Sequence, residues 1–307
     1  MYNEEIKERF LADLSAGKNE KSYRAKFEAI GLYEDSVCKD LAELSVADTI
    51  KAMQNVRIGT YKSAFSLISQ IRSYVDWCFN NHIFNDVNMD LLSLTVDDVD
   101  ISESMKKMLF RTEDEFIKEL RSARTFNDGY FDVIVMVFSW LGISQDQAME
   151  VKINDVDFES MMVHLPDRDI HFSEKLGEIL WIYSKTKHST RLNGNGPRDV
   201  YRDDSYDLFV RKFSAPKQLG KKLTKSQLQA ALHDLNEIYA DLGNEPRFTS
   251  GNVLTSGALS RVFELEQSGV DVFLMKNKNA VLDAFVAKAK LYEVLWLYNN
   301  YKRAFNL

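Results

Sequence analysis

Residues 130–157 constrain the fold more than any other stretch of the chain. Residues 130–141 are apolar on nearly every side, and a helix without a polar face belongs in the interior of a folded unit. The chain then turns at Gly142, and helical spacing resumes over about residues 145–151. The sequence therefore predicts a unit that contains a buried helix followed directly by a short one.

A small β-structure is predicted after these helices. Residues 161–165 and 169–172 resemble two short strands, and Pro166-Asp167-Arg168 supplies the turn between them. The polar residues, glycines and charges of 186–206 predict a long loop. Helical spacing is found in five later segments: 176–183, 206–213, 224–240, 253–266 and 281–305. The fold class is therefore mainly α with a small β-hairpin or sheet.

The N-terminal part of the chain predicts a separate helical domain. Apolar residues recur at helical spacing from Ile6 to Phe84, which predicts four or five helices. Their expected stops are Gly17, Gly31, Gly59 and the Asn80-Asn81 pair. A polar, acidic segment follows, and Thr112 with Glu115 then has the capping-box pattern that opens a helix. We therefore predict a helical domain over 1–95, a linker over 96–110 and a second domain over 111–307.

Composition points to an ordinary globular protein. Only two cysteines, Cys38 and Cys78, occur in 307 residues, which fits a reducing compartment. The opening residues are acidic and lack an apolar stretch, and no apolar run approaches the length that spans a bilayer. No spacing of histidines and cysteines suggests a metal site. We expect a cytoplasmic location, no membrane association and neither metal nor cofactor.

The charge is unevenly distributed along the chain. The net charge is −7, which by itself disfavours a nucleic-acid partner. Residues 185–225, however, contain eleven Lys or Arg and four Asp, a local balance of +7. Fields are local because salt screens charges beyond about 10 Å, so one basic face can still meet a phosphate backbone. The candidate contacts are Lys185, Lys187, Arg191, Arg198, Arg202, Arg211, Lys212, Lys217, Lys221, Lys222 and Lys225.

The frame Gly142-Ile143, Val151-Lys152-Ile153 and Asp155-Val156-Asp157 resembles a segment of the tyrosine recombinases, the phage integrase family. The order of predicted elements is also similar to that family, with a SAM-like core-binding domain followed by a catalytic-type domain. The chain further resembles the integrase-fold master repressors of SPβ-type Bacillus prophages. This resemblance implies double-stranded DNA as the partner, clamped between the two domains.

The family's chemistry needs two arginines and a histidine around the phosphate, because its transition state carries charge that desolvated cations stabilise. By the resemblance, Ser144 stands at the first arginine position. Phe248-Thr249-Ser250 resembles the turn before the His-x-x-Arg motif, so Gly251 and Leu254 stand at the histidine and second arginine positions. Losing one such contact often costs ~100-fold in rate. We therefore expect no recombinase activity and no catalytic residue.

The other catalytic positions are also altered. Arg168 stands where the family has a hairpin lysine, and arginine is a poor general acid because it does not deprotonate. Among Tyr292, Tyr298 and Tyr301, the separation best suits Tyr292 as a nucleophile, but its apolar neighbours favour an aromatic side chain packed in an amphipathic helix. Arg261 lies two helical turns from Leu254, about 10 Å away, and is a poor substitute for the missing arginine.

Further contacts are expected in the first domain. A helix is predicted to begin after Gly59 with Thr60 as its N-cap, and such a start offers backbone N–H groups to a phosphate. Arg57, Thr60, Tyr61 and Lys62 are therefore DNA-contact candidates, and Arg168 joins them from the second domain.

Our leading hypothesis is a sequence-specific DNA-binding protein without recombinase activity, most plausibly a phage or prophage repressor that controls lysogeny. One alternative is an antirepressor or recombination accessory factor that binds a phage or host protein, since residues 1–110 carry a net charge of −5. Another is a divergent active recombinase that uses Arg168, Arg261 and Tyr292. The C-terminal helix offers a route to oligomers, and packing within its own chain fits equally well.

Overall fold

The chain folds into two compact units. A computed structural model describes residues 1–14, 20–56, 58–193, 196–285 and 289–307. Met1–Lys106 with Tyr292–Leu307 form unit 1, and Lys107–Leu291 form unit 2. The helices of the described residues are α1 (Glu4–Asp13), α2 (Glu20–Val37), α3 (Val46–Met53), α4 (Tyr61–Asn80), α5 (Ser102–Met108), α6 (Glu113–Ala123), α7 (Phe131–Trp140), α8 (Gln145–Ala148), α9 (Glu174–Lys185), α10 (Lys225–Asp241), α11 (Ser250–Gln267), α12 (Lys278–Phe285) and α13 (Leu291–Phe305).

Two small antiparallel sheets accompany the helices, both in unit 2. The first has the order β1 (Val156–Asp157), β2 (Met162–His164), β3 (Asp169–His171). The second has the order β4 (His188–Asn193), β5 (Gly196–Arg202), β6 (Phe213–Ser214). The predicted class, mainly α with a small β-structure, is confirmed. No helix within the described ranges is both long and apolar enough to cross a membrane.

Helices α1–α4 agree with the four or five predicted before Phe84. Gly59 and the Asn80-Asn81 pair flank α4 as expected, and Gly17 lies outside the described residues. The predicted stop at Gly31 is wrong, because Gly31 is buried inside α2. A Cβ there would lie 3.2 Å from the backbone nitrogen of Tyr2. This glycine therefore permits a close contact with the N-terminal residues and ends no helix.

Residues 96–110, predicted as a linker, are folded. They form a 3-10 turn over Val96–Asp98 and helix α5, and Val96, Val99 and Met105 are buried. Acidic residues between these apolar positions produced the polar pattern on which the prediction rested.

The single helix predicted over 281–305 is two helices in the structure. Helix α12 lies in unit 2, and α13 from Tyr292 onward lies in unit 1. In α13, the Trp296 indole N–H donates to the Val96 carbonyl at 3.2 Å, so this helix packs within its own chain.

The buried helix of unit 2 is present as predicted. In α7 every residue from Asp132 to Trp140 is buried. Helix α11 crosses it closely at Gly257, where an added Cβ would stand 2.0 Å from the Trp140 carbonyl oxygen. One turn later, the Arg261 guanidinium donates to that same oxygen at 2.7 Å and to the Ala284 carbonyl at 3.0 Å. One arginine thus joins the C-terminal ends of α7 and α12.

Residues 186–213 do not form the predicted loop and helix. β4 and β5 pair from His188↔Tyr201 to Asn193↔Gly196, and the described residues between β5 and β6 contain no helix. The reason is tertiary, because the Phe209 N–H donates to the Val151 carbonyl at 2.7 Å and so holds its segment extended. Pairing with residues far away in sequence outweighs local polarity here.

We expect Gly257→Ala to lower the free energy of unfolding by about 2–3 kcal/mol or more, because the new methyl group overlaps a backbone oxygen in a packed crossing. Urea denaturation followed by circular dichroism measures the change. Gly251→Ala on the same helix is the matched control, since a Cβ there meets nothing within 4 Å. If the Gly257→Ala protein were as stable as the control, α7 and α11 would be able to move apart at the crossing without loss of stability, and the prediction would be wrong.

Candidate nucleic-acid interface

Ser144 holds the start of α8. Its hydroxyl accepts a hydrogen bond from the Gln147 N–H at 3.3 Å, and the Gln147 side-chain oxygen accepts one from the Ser144 N–H at 3.1 Å. This reciprocal capping box satisfies two N–H groups that the helix leaves open. The position that resembles the first catalytic arginine is therefore occupied by an uncharged helix cap.

The start of α11 is uncharged as well. Thr249 caps the helix by accepting from the Asn252 N–H at 3.1 Å. Gly251 is exposed and Leu254 is half-buried. A cavity of about 320 Å³ borders Thr249 and Ser250 at this helix start, and Gln145, Gln229 and Asn236 add amide groups to its lining. Neither predicted position supplies a cation to this cavity.

Arg168 and Arg261 approach the end of α7 and bind backbone there. The Arg168 guanidinium donates to the Gly142 carbonyl at 3.2 Å and to the Asp167 carboxylate at 2.9 Å. Burial lowers the pKa of Arg261 to about 10. Both cations thus have internal hydrogen-bond partners.

An acidic groove lies beside the β2–β3 hairpin. Its volume is about 750 Å³, and its lining includes Asp146, Glu150, Asp155 and Asp167 with the single lysine Lys152. Residues 141–175 carry eight acidic and three basic side chains, a net charge of −5. A phosphate near this hairpin would be repelled by these carboxylates, because like charges repel even where solvent partly screens them.

The tyrosine candidates lie in unit 1. Tyr292 is 49% exposed and its ring meets Tyr61 edge to face, with the centroids 5.1 Å apart. Tyr61 also contacts Trp296 at 5.5 Å, while Tyr298 and Tyr301 are fully buried. Tyr61 and Tyr292 thus take part in aromatic packing of α4 against α13.

Four of the eleven candidate cations of residues 185–225 point into unit 2. Arg191 donates to the Asp128 and Gly129 carbonyls at 3.0 and 3.1 Å and lies 4.3 Å from the Tyr130 ring centre. Arg202 and Arg211 both bind Asp204, and Lys212 is buried. The sequence-based placement of these four on an exposed basic face is wrong, because their side chains are largely buried and contact groups of their own unit.

The remaining cations of this segment are exposed: Lys185, Lys187, Arg198, Lys217, Lys221, Lys222 and Lys225. Lys225 pairs with Asp146 at 2.8 Å across two exposed side chains, an arrangement worth little in water. Lys217, Lys221 and Lys222 lie on the segment after β6, which we call the lysine loop. Lys187 is close to its base, because its carbonyl accepts from the Arg202 N–H at 2.9 Å, next to Asp203.

Asp203 organises the lysine loop. This residue is only 2% exposed, and its carboxylate accepts from the N–H groups of Ser205 at 3.2 Å, Gly220 at 2.7 Å and Lys221 at 3.2 Å. Although burial opposes it, hydrogen bonding from Ser205, Gly220 and Lys221 leaves the pKa of Asp203 below its usual value. A buried carboxylate thus fixes the loop's backbone and leaves its ammonium groups in solvent.

In unit 1 the candidate contacts surround the start of α4. Thr60 and Ser63 form a capping box, and Lys62 is exposed; Arg57 lies outside the described residues. Sequence reasoning missed two neighbours. Phe65 is 60% exposed one turn after Lys62, a spacing that was visible in the sequence. Lys26 of α2 donates to the Ser66 hydroxyl at 3.0 Å, and burial lowers its pKa. No sequence signal identified Lys26.

Comparison with known proteins gives one family match and several similar structures. Residues 1–80 match the family model of the MrpR N-terminal core-binding domain. No curated protein matches the chain. The crystal structure of XerA recombinase is 14% identical, with 99% of this chain and 97% of that chain covered and a TM-score of 0.42.

Structures of the Tn1549 transposon integrase are similar to a comparable degree. One, in complex with a circular intermediate DNA, is 12% identical, covers 96% of this chain and 94% of that chain, and has a TM-score of 0.40. Another, in complex with transposon right end DNA, is 13% identical, covers 96% and 93%, and has a TM-score of 0.41.

We expect Asp203→Ala to release the lysine loop. The change removes a charged acceptor from three N–H groups, which costs about 2–4 kcal/mol and raises the rate of trypsin cleavage after Lys217, Lys221 and Lys222 at least about tenfold. Limited proteolysis with mass spectrometry measures it. Asp199→Ala is the control, because Asp199 is exposed and accepts from the Thr190 hydroxyl of the neighbouring strand. Equal cleavage rates in both variants would contradict the anchoring role of Asp203.

Proposed function

We propose that this protein binds specific double-stranded DNA without cutting it and acts as a phage or prophage transcriptional repressor that controls lysogeny. The observation that carries the proposal is the distribution of charge in unit 2. Ser144, Gly251 and Leu254, at the positions that resemble a phosphate-cleaving site, are uncharged, and the hairpin beyond Ser144 borders an acidic groove, whereas exposed lysines occupy the lysine loop.

The neutral positions support the absence of cleavage. Ser144 serves as a helix cap, Gly251 has no side chain, and Leu254 is apolar. Each missing cation is expected to cost ~100-fold or more in rate, and together the losses exceed what one surviving group restores. Arg168 and Arg261 donate to backbone carbonyls instead.

The exposed cations support DNA binding. Affinity for a duplex comes largely from Lys and Arg contacts that release counterions from phosphates, and such contacts need accessible charge. Lys217, Lys221 and Lys222 supply accessible positive charge in unit 2, and Lys62 supplies it in unit 1. The match of residues 1–80 to a core-binding domain model supports placing the other half of the DNA contact in unit 1. There, Phe65 offers an apolar contact to a thymine methyl group.

A repressor follows from binding without chemistry, because a protein that occupies an operator blocks transcription by its presence alone. DNA from around the protein's own gene is the first substrate to test by gel shift and footprinting. A protected operator would support the proposal, and the lack of any footprint at low salt would refute it.

The acidic groove favours one second candidate, an antirepressor or accessory factor that binds a phage or host protein. Asp146, Glu150, Asp155 and Asp167 offer charge that suits a basic protein segment and repels DNA. Co-purification with one protein partner, together with no DNA footprint, would favour this candidate over the repressor.

We expect the triple variant Lys217→Gln, Lys221→Gln, Lys222→Gln to bind all DNA sequences more weakly. If each lysine neutralises one phosphate, the slope of log affinity against log salt becomes shallower by about 3, because each contact contributes ~0.9. Fluorescence anisotropy at several salt concentrations measures the slope. The control removes three exposed lysines elsewhere in unit 2: Lys118, Lys276 and Lys278. Equal slopes in the two variants would remove the lysine loop from the interface.

We expect no covalent protein–DNA adduct on a nicked suicide substrate that contains the footprinted site. Denaturing gels detect such adducts, and Tyr292→Phe provides the comparison. An adduct formed by the natural protein and lost in Tyr292→Phe would instead establish a divergent active recombinase. The adduct assay reports DNA cleavage and the lysine-loop assay reports DNA binding. The two results together therefore distinguish a DNA-binding protein from an active recombinase.

A further inference from the structure

A cavity of about 450 Å³ separates the end of α9 from the segment after β5 in unit 2. The side chains of Arg202 and Arg211 contribute to its lining although they are only 7% and 8% exposed. Ser205 and Tyr206 add hydroxyl groups to the same lining. We call this space the arginine cavity.

The two guanidinium groups share one counterion. Arg202 Nε lies 2.6 Å from Asp204 Oδ1, and Arg211 Nη1 lies 2.5 Å from the same oxygen. Arg211 Nε is buried and has no hydrogen-bond partner among the described residues. Burial, and secondly the charge of Arg202, lower the pKa of Arg211. Arg211 therefore lies beside the like charge of Arg202, and its Nε–H has no acceptor in the described part of the chain. Both features cost free energy, and an anionic ligand would offset them.

The carboxylates of this site lie further out than the cations. Asp204 is 52% exposed, and Asp207, which also borders the cavity, is exposed. Solvent screens such groups, whereas nine-tenths buried guanidinium groups keep most of their field. Lys187 adds a further positive charge near Asp204. The inner part of the cavity thus favours negative charge.

We propose that the arginine cavity binds an oxyanion, a phosphate or carboxylate group, between Arg202 and Arg211. Guanidinium forks match the planar or tetrahedral oxygen pairs of such groups and bind them in bidentate fashion. The group belongs either to a free small molecule or to a DNA backbone phosphate. The site does not depend on the proposed repressor function, since anion binding is measured without DNA.

An occupant of this cavity lies beside the anchor of the lysine loop. The Tyr206 hydroxyl donates to the Gly220 carbonyl, and Asp203, adjacent to Asp204, accepts from the Gly220 and Lys221 N–H groups. Binding of a free anion would therefore act on the residues that hold the loop's backbone. A small-molecule oxyanion could in this way change the conformation of the lysine loop.

The test is a thermal-shift titration of the full chain with sodium phosphate, sulfate and citrate, against sodium chloride at equal ionic strength. A ligand that binds only the folded state raises the melting temperature in a saturable way. We expect such a rise with at least one oxyanion and not with chloride. Arg202→Gln and Arg211→Gln should each weaken the apparent affinity at least about tenfold, and Arg198→Gln, an exposed arginine of β5 that does not border the cavity, should leave it unchanged.

Asp204→Asn keeps the proposal testable if the arginine variants fold poorly. It removes the carboxylate that competes for both guanidinium groups while keeping the side-chain shape. We expect oxyanions to bind this variant at least about threefold more tightly than they bind the natural protein. A role of Arg202 and Arg211 in folding alone predicts no oxyanion response in the natural protein.

Two arms distinguish the source of the oxyanion. A saturable response to free phosphate, sulfate or citrate supports a small-molecule site. No response to free anions, with DNA binding weakened at least about tenfold in Arg211→Gln but not in Arg198→Gln, supports a backbone phosphate in the cavity. No response to free anions in either the natural protein or Asp204→Asn, with equal DNA binding in Arg211→Gln and Arg198→Gln, overturns the proposal.

Discussion

The close approach of α11 to α7 at Gly257 is the constraint on which the arrangement of unit 2 depends. Only a residue without a Cβ allows the Trp140 carbonyl to lie so near the helix, and Arg261 then donates to that oxygen one turn later. The crossing fixes the chain that runs on through Gly142 to Ser144, and it fixes the first turns of α11 with Gly251 and Leu254. The crossing thus sets the positions of Ser144, Gly251 and Leu254, and none of the three carries a charged side chain.

Charge is sorted within unit 2 between two surfaces. The β2–β3 hairpin borders an acidic groove. The lysine loop exposes ammonium groups to solvent, while the buried Asp203 carboxylate binds the loop's backbone N–H groups. The two surfaces meet where Lys225 pairs with Asp146 of the groove, so the fields that attract and repel a polyanion arise from neighbouring segments of the unit. A net charge of −7 and a basic interface are therefore compatible, provided that the acidic residues lie away from the contact.

The sequence predicted the elements whose stability is local. The buried α7 and the caps Thr60 and Thr224 were visible because neighbouring residues specify them. It failed over residues 186–213, where β4 and β5 pair with each other and where Arg191 beside Tyr130 and the Phe209 hydrogen bond to Val151 tie the segment to distant parts of the chain. The candidate interface divides in the same way. A count of charges located the basic segment, but nothing in the sequence distinguishes a lysine in solvent from an arginine buried on a carbonyl.

Asp203 has a consequence for how such a surface evolves. Its carboxylate binds backbone N–H groups, so the course of the lysine loop does not depend on which side chains the loop carries. Substitutions at Lys217, Lys221 or Lys222 would then change the charge of the surface at little risk to folding. Anchoring through the main chain thus separates the stability of the loop from the identity of its side chains, and the chemistry of this surface can change while the course of its backbone is kept.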